Sequence, residues 1–154
     1  MVATRRAGAT PASHSLSGTR PVMLATFNVP FAAEAETIAV DAAAETGQPL
    51  LVVNVAATPI LPVSMSLGYE YLETGELGDA LRRPAELAAS LGLAVELLRV
   101  ATPRPVEALL QLVAERSPGL LVVGSERAAL GRRRYAWAAK RIRALTTCLV
   151  WLPE

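Results

Sequence analysis

Five short apolar runs, separated by segments of helical period, constrain this chain most. The runs span residues 22–27, 50–55, 94–100, 120–123 and 148–152, and three of them are apolar nearly throughout. Such runs suit strands covered on both faces, as in a parallel sheet. Each is bounded by a turn or breaker signal. Pro21 and Asn28 flank the first, Gly47 and Pro49 precede the second, and Ser117-Pro118-Gly119 precedes the fourth.

The intervening segments read as helices. Ala35, Ile38, Ala39 and Ala42 share one face after the first run, with Glu34, Asp41 and Glu45 on the other. Residues 57–75 carry two prolines and no period, and read as an irregular connection of the kind that often holds ligand loops. A helical pattern resumes near Glu76. Pro84 is expected to open its better half, with Leu87, Ala88 and Leu91 as the apolar side. The third run is broken by Glu96 and Arg99, which suits a sheet edge. Pro105 opens the next helix, whose stripe is Val106, Leu109, Leu110 and Val113. After Gly124-Ser125 a basic loop leads into a last helix of about residues 135–145.

Strands joined through helices lie parallel. The pattern therefore predicts a three-layer, doubly wound α/β domain with a parallel five-stranded sheet over residues 21–154. Ligands in such folds bind beyond the carboxyl ends of the strands. Those ends are Phe27-Asn28, Val55-Ala56, Ala101-Thr102 and Gly124-Ser125.

Composition narrows the chemistry. The 154 residues are 52% hydrophobic and 19% charged, enough for one buried core, and aromatics at 5% make that core aliphatic. A single cysteine, Cys148, excludes an internal disulfide, and a single histidine, His14, leaves no Cys/His zinc cluster. No metal site is expected, although carboxylate-only sites are not excluded. No apolar run reaches the roughly 18 residues of a membrane helix. Residues 1–20 lack an apolar signal core and read as a flexible tail; a transit peptide shares their Ser/Ala/Arg-rich composition, but Pro11 and Gly18 interrupt any helix. A cytoplasmic protein is the default expectation.

Charge is unevenly placed. Net charge is +1, which gives no global case for nucleic acid. Yet residues 21–126 hold five arginines against thirteen carboxylates, while residues 127–154 hold seven cations against Glu154 alone. The cluster Arg127, Arg132, Arg133, Arg134, Lys140, Arg141 and Arg143 reads either as a solvated helix face or as a surface for an anion or an acidic protein partner.

Residues 117–152 (SPGLLVVGSERAALGRRRYAWAAKRIRALTTCLVWL) resemble the C-terminal half of a universal stress protein: an aliphatic strand, a Gly-Ser loop, a helix and a short final strand. VMLATFNVPFAAEAETIAVDAAA is similar to that family's first strand and helix, and ATPRP with the helix after it to its penultimate segment. The resemblance covers roughly residues 21–152. It implies a Rossmann-like sheet of the adenine nucleotide α-hydrolase type, a stress-response role, an adenine nucleotide such as ATP as the cofactor of binding members, and homodimerisation through the last strand. The candidate nucleotide-binding positions are Asn28, Val53, Gly124, Ser125, Gly131, Arg132 and Arg133. The candidate interface is Cys148, Leu149, Val150, Trp151 and Leu152.

The departures from the family pattern bear on function. ATP-binding members carry glycine, two residues, glycine, nine residues, then Gly-Ser or Gly-Thr. Gly124 and Ser125 match the start, but Arg127 stands at the second glycine and Tyr135-Ala136 at the final pair. Phe27-Asn28-Val29 replaces the usual Asp-Gly or Asp-Ser after the first strand. Bulky residues at glycine positions keep backbone N–H groups from phosphate. The expected reading is thus a module without efficient ATP binding and with no cofactor, acting through dimerisation and protein contacts. A rebuilt basic loop, Gly124 to Arg134, binding a phosphate ligand is the alternative. An enzyme of the wider dinucleotide-binding architecture is a second alternative, disfavoured because no nucleophile–base pair, P-loop or Gly-x-Ser-x-Gly elbow occurs. Cys148, within or beside the last strand, reads first as a small core residue. Tyr69, Glu70 and Tyr71 read as a pocket mouth or a loop anchor.

Overall fold

The computed structural model describes residues 2–7, 19–58 and 75–153. His14, the 59–74 connection and Tyr69, Glu70 and Tyr71 lie outside the described residues. The elements are β1 (Val2–Ala7), β2 (Val22–Thr26), α1 (Ala33–Thr46), β3 (Leu50–Ala57), α2 (Gly75–Ser90) and β4 (Val95–Thr102). They continue with α3 (Pro105–Arg116), β5 (Leu120–Val123), α4 (Arg127–Leu130), α5 (Arg132–Leu145) and β6 (Leu149–Trp151).

All five expected strands are present and parallel, in the order β4-β3-β2-β5-β6. Within this parallel set the path starts at β2, winds outward through β3 and β4, then returns to β5 and β6 on the other side. The point of reversal lies between the carboxyl ends of β2 and β5. A sixth strand, β1, pairs antiparallel with the outer side of β4, from Val2↔Ala101 to Ala7↔Glu96. This corrects the tail reading for those six residues. An edge strand is held by its backbone ladder, so it needs no apolar run to announce it. As expected, β4 is the edge of the parallel set on one side and β6 on the other.

Each face of the sheet has its own core. On one, α1 and α2 lay Ala35, Ala39, Ala43, Leu81, Ala85 and Ala88 over Leu24, Leu50, Val52 and Val122. On the other, α3 and α5 cover Met23, Val53, Val100, Leu121 and Val123 with Leu109, Leu112, Tyr135 and Ile142. The alanines of α1 recur every four residues and let it approach the sheet closely. Gly47, at φ 65°, ends that helix in the left-handed conformation.

Helix α2 departs from expectation in two ways. It runs continuously from Gly75 to Ser90 with Pro84 inside it rather than at a first turn. Pro84 is buried with Leu81, Ala85 and Ala88, and this packing offsets the hydrogen bond its ring removes. Leu87 and Leu91 point outward, 48% and 56% exposed, because the stripe at 81, 85 and 88 takes the sheet side. Arg83 clamps α2 to α1 through a two-pronged pair with Glu36, at 2.6 and 3.1 Å. That carboxylate keeps the guanidinium protonated by raising its pKa further.

Candidate functional site

The reversal point is built from the tips of β2, β3 and β5. Thr26 ends β2, and its hydroxyl donates to the Val29 carbonyl at 2.8 Å. Its single proton is thereby used, so the 3.0 Å contact between Thr26 Oγ1 and Ser125 Oγ takes its proton from Ser125. The Ser125 oxygen in turn accepts the Phe27 N–H at 3.0 Å. Both hydroxyls are completely buried. Their hydrogen bonds tie the loop after β2 to the loop after β5.

Asn28 follows with φ 58°, a left-handed conformation that asparagine accepts more readily than most residues. The turn aims its N–H at Asn54 Oδ1, 2.9 Å away, and Asn54 Nδ2 returns a bond to Asn28 Oδ1 at 3.1 Å. Beyond the tip of β2, two neutral amides thus grip one another.

Gly124 completes the cluster. The N–H of Gly124 donates to the Ala25 carbonyl, its own carbonyl accepts from Ala32, and the Glu126 N–H donates to Pro30. The last two bonds form an antiparallel bridge between Phe31 and Ser125 that folds the loop after β2 across the tip of β5. Phe31 is 4% exposed and sits directly on Gly124. A Cβ on that glycine would lie 2.8 Å from Phe31, 2.9 Å from Leu24 and 3.1 Å from Ala35. The glycine is needed for contact between protein parts.

Of the sequence candidates, Asn28, Gly124 and Ser125 come together here. Val53 is fully buried in the core, and the next residue, Asn54, is the one from β3 that reaches the tip. Thr26, Phe31 and Asn54 were not singled out from sequence. Asn54 alone left a trace there, as the one polar residue in LLVVNV.

The basic loop is largely helical, which corrects the expected loop. Arg127–Leu130 forms one turn, Gly131 breaks at φ 95°, and α5 begins at Arg132 rather than near Tyr135. Arg132, Arg133 and Arg134 therefore lie in a first turn, exposed and without a carboxylate partner among the described residues. Tyr135 is buried beneath them, its hydroxyl donating to the Pro153 carbonyl and its ring carrying the Arg127 guanidinium at 5.3 Å. Burial raises the phenol above its ordinary pKa, with Arg127 and Arg143 pulling weakly the other way.

The last strand presents its candidates unevenly. Leu149 is 74% exposed, while Cys148, Val150, Trp151 and Leu152 are half-buried. Burial also pushes the Cys148 thiol up, which keeps it protonated near neutrality. Among the described residues no group of three or more His, Cys, Asp or Glu side chains is placed to hold a metal. None of their helices is long and apolar enough to cross a membrane.

Comparison with known proteins decides the family. The model of the universal stress protein family matches residues 18–152. The chain belongs to that family. Its fold is shared with a universal stress protein solved in complex with cAMP, at 20% identity and TM-score 0.57 over 88% of this chain and 97% of the other. A Burkholderia pseudomallei protein of the family is 20% identical, with TM-score 0.56 over 86% and 94%. An Arabidopsis thaliana universal stress protein with AMP bound is 16% identical, with TM-score 0.56 over 86% and 90%. A comparison with curated protein sequences gives no match. Within the universal stress protein frame, the tip cluster occupies the reversal point, and the basic helix and final strand form a separate corner.

Proposed function

We propose that this universal stress protein is a non-catalytic, cytoplasmic regulatory module that binds ATP weakly or not at all and acts through self-association and protein contacts. The observation that carries this reading is the closure of the reversal point. Phe31 rests on Gly124, the Thr26 and Ser125 hydroxyls are spent on one another and on backbone, and Asn28 is tied to Asn54. A phosphate chain entering there would have to break those bonds and displace a buried phenyl ring. Self-association is supported by β6, an edge strand with Leu149 bare and Trp151 half-exposed beside it.

A second reading has one point in its favour. Three universal stress proteins of similar fold were solved with cAMP, AMP or dAMP bound. On that reading an adenine nucleotide binds here through Gly124, Ser125, Gly131 and Arg132 to Arg134.

Mass spectrometry of the denatured, freshly purified protein separates the two. The expected result is no stoichiometric nucleotide, and bound ATP or AMP in a one-to-one ratio establishes the second reading. For the interface, Trp151→Asp is expected to shift the protein to monomer in sedimentation velocity; an unchanged dimer removes β6 from the interface.

A further inference from the structure

We propose that the free side of β6 accepts an extended segment of a partner protein in which acidic and apolar side chains alternate. The proposal rests on the reading of β6 as the docking edge and names the chemistry of what docks there.

The two faces of β6 differ in kind. Val150 and Leu152 pack toward the core beneath α5, and Trp151 toward the core on the opposite face, where alternation also places Leu149. Helix α1 covers β2 and β5 on that second face and has no substantial contact with β6, which is why Leu149 stays bare. An added strand would thus find an apolar strip on the α1 face.

On the other face it would find cations. At 100° per residue, Arg132, Ala136, Ala139, Lys140 and Arg143 fall on one side of α5. From that side Ala136, Ala139, Lys140 and Arg143, with Leu152 and Pro153, wall an open cleft of about 660 Å³. Arg127 joins Lys140 and Arg143 at its rim, and the alanines keep its floor low. None of these cations has an ion pair among the described residues. Arg141, the one α5 residue that does, reaches Glu107 at 3.6 Å from the other side of the helix. No Asp or Glu occurs in the sequence between Glu126 and Glu154.

An edge strand offers its backbone to any extended chain, and specificity comes from the alternate side chains. A second copy of β6 would bring its own α5 and set like charges against like. A strand alternating carboxylates with Val- or Leu-sized residues brings opposite charge to the rim and apolar surface to Leu149 and Trp151. Like charge weakens self-pairing at low salt, and opposite charge lets the acidic strand compete with it for the same edge.

The test uses a fluorescein-labelled hexapeptide alternating Glu and Val, read by fluorescence anisotropy with the full-length protein. Saturable binding is expected, falling with added salt. The double change Lys140→Glu with Arg143→Glu should weaken it at least ~tenfold, as like charges at a rim do. A Lys–Val hexapeptide should not bind, and the same Glu and Val residues arranged in two blocks should bind less tightly. Equal binding of the Lys–Val peptide, unchanged binding by the double variant, or no binding overturns the proposal. So does a rim that captures inorganic tripolyphosphate and no peptide. Sedimentation velocity of the free protein keeps the underlying reading separate: a monomer at every concentration ends self-pairing without touching the peptide result. A dimer that the peptide leaves intact while still binding places the peptide elsewhere and overturns the proposal.

Discussion

The tip between β2 and β5 and the corner between α5 and β6 are treated oppositely by this sequence. At the tip every hydroxyl has a partner within the protein, and Phe31 and Gly124 are pressed together without a gap. At the corner Arg127, Lys140 and Arg143 lack ion pairs among the described residues, and an apolar edge strand has one side unpaired. Satisfied, buried polar groups stabilise a single conformation and leave little to offer a ligand. Unpaired charge beside an open strand edge adds little to folding but is available for association. On the proposed function, the contrast puts the working surface away from the point of strand reversal.

Substitutions can break this contrast. Gly124→Val is expected to have the largest effect on stability. Its side chain collides with Phe31, Leu24 and Ala35, and overpacking of this kind costs about 1–3 kcal/mol. A lower urea midpoint with an unchanged slope is the expected result. Unaltered stability would mean that the tip is loose enough to admit a ligand. Tyr135→Phe comes next, at about 0.5–1.5 kcal/mol for the lost bond to Pro153.

It also changes the alkaline limb. Burial holds the folded phenol above the ordinary value near 10, so its contribution is complete below about pH 10 and is lost as pH rises toward the folded pKa. Thermal melts across that range should fall less steeply in Tyr135→Phe than in the wild type. Equal slopes would show that the phenol ionises alike in both states. The smallest effect belongs to the double charge reversal at Lys140 and Arg143. These are exposed, and stability should stay within about ±0.5 kcal/mol. A large loss there would mean that the corner, too, serves the fold.

Much of the fold was legible because parallel strands buried on both faces leave continuous aliphatic runs such as LLVV and LLVVNV. The edge positions of β4 and β6 followed from Glu96 and Arg99 in one and from chain order in the other. What remained hidden was non-local or carried by backbone. β1 reads VATRRA, with neither an apolar run nor an alternation to mark it, and its partner strand, Glu96 to Ala101, is remote in sequence. The seat of Phe31 on Gly124 joins residues 93 apart in sequence, and no local pattern marks it. Pro84 misled because a proline usually opens a helix, whereas here tertiary packing holds it inside one. Arg132 to Arg134 read as loop because three cations suit the positive end of a helix poorly. Gly131 at φ 95° fixes the start of α5 there instead.

The register of β1 carries one more consequence. By lying along β4 from Ala101 back to Glu96, it leaves that flank of the sheet with a neighbour already in place. The two outer strands then differ in direction: β1 runs against the strand it covers, whereas β6 runs with its neighbour. The two flanks of the sheet therefore show backbones of opposite polarity, and a segment that fits one ladder in a given direction must turn round to fit the other.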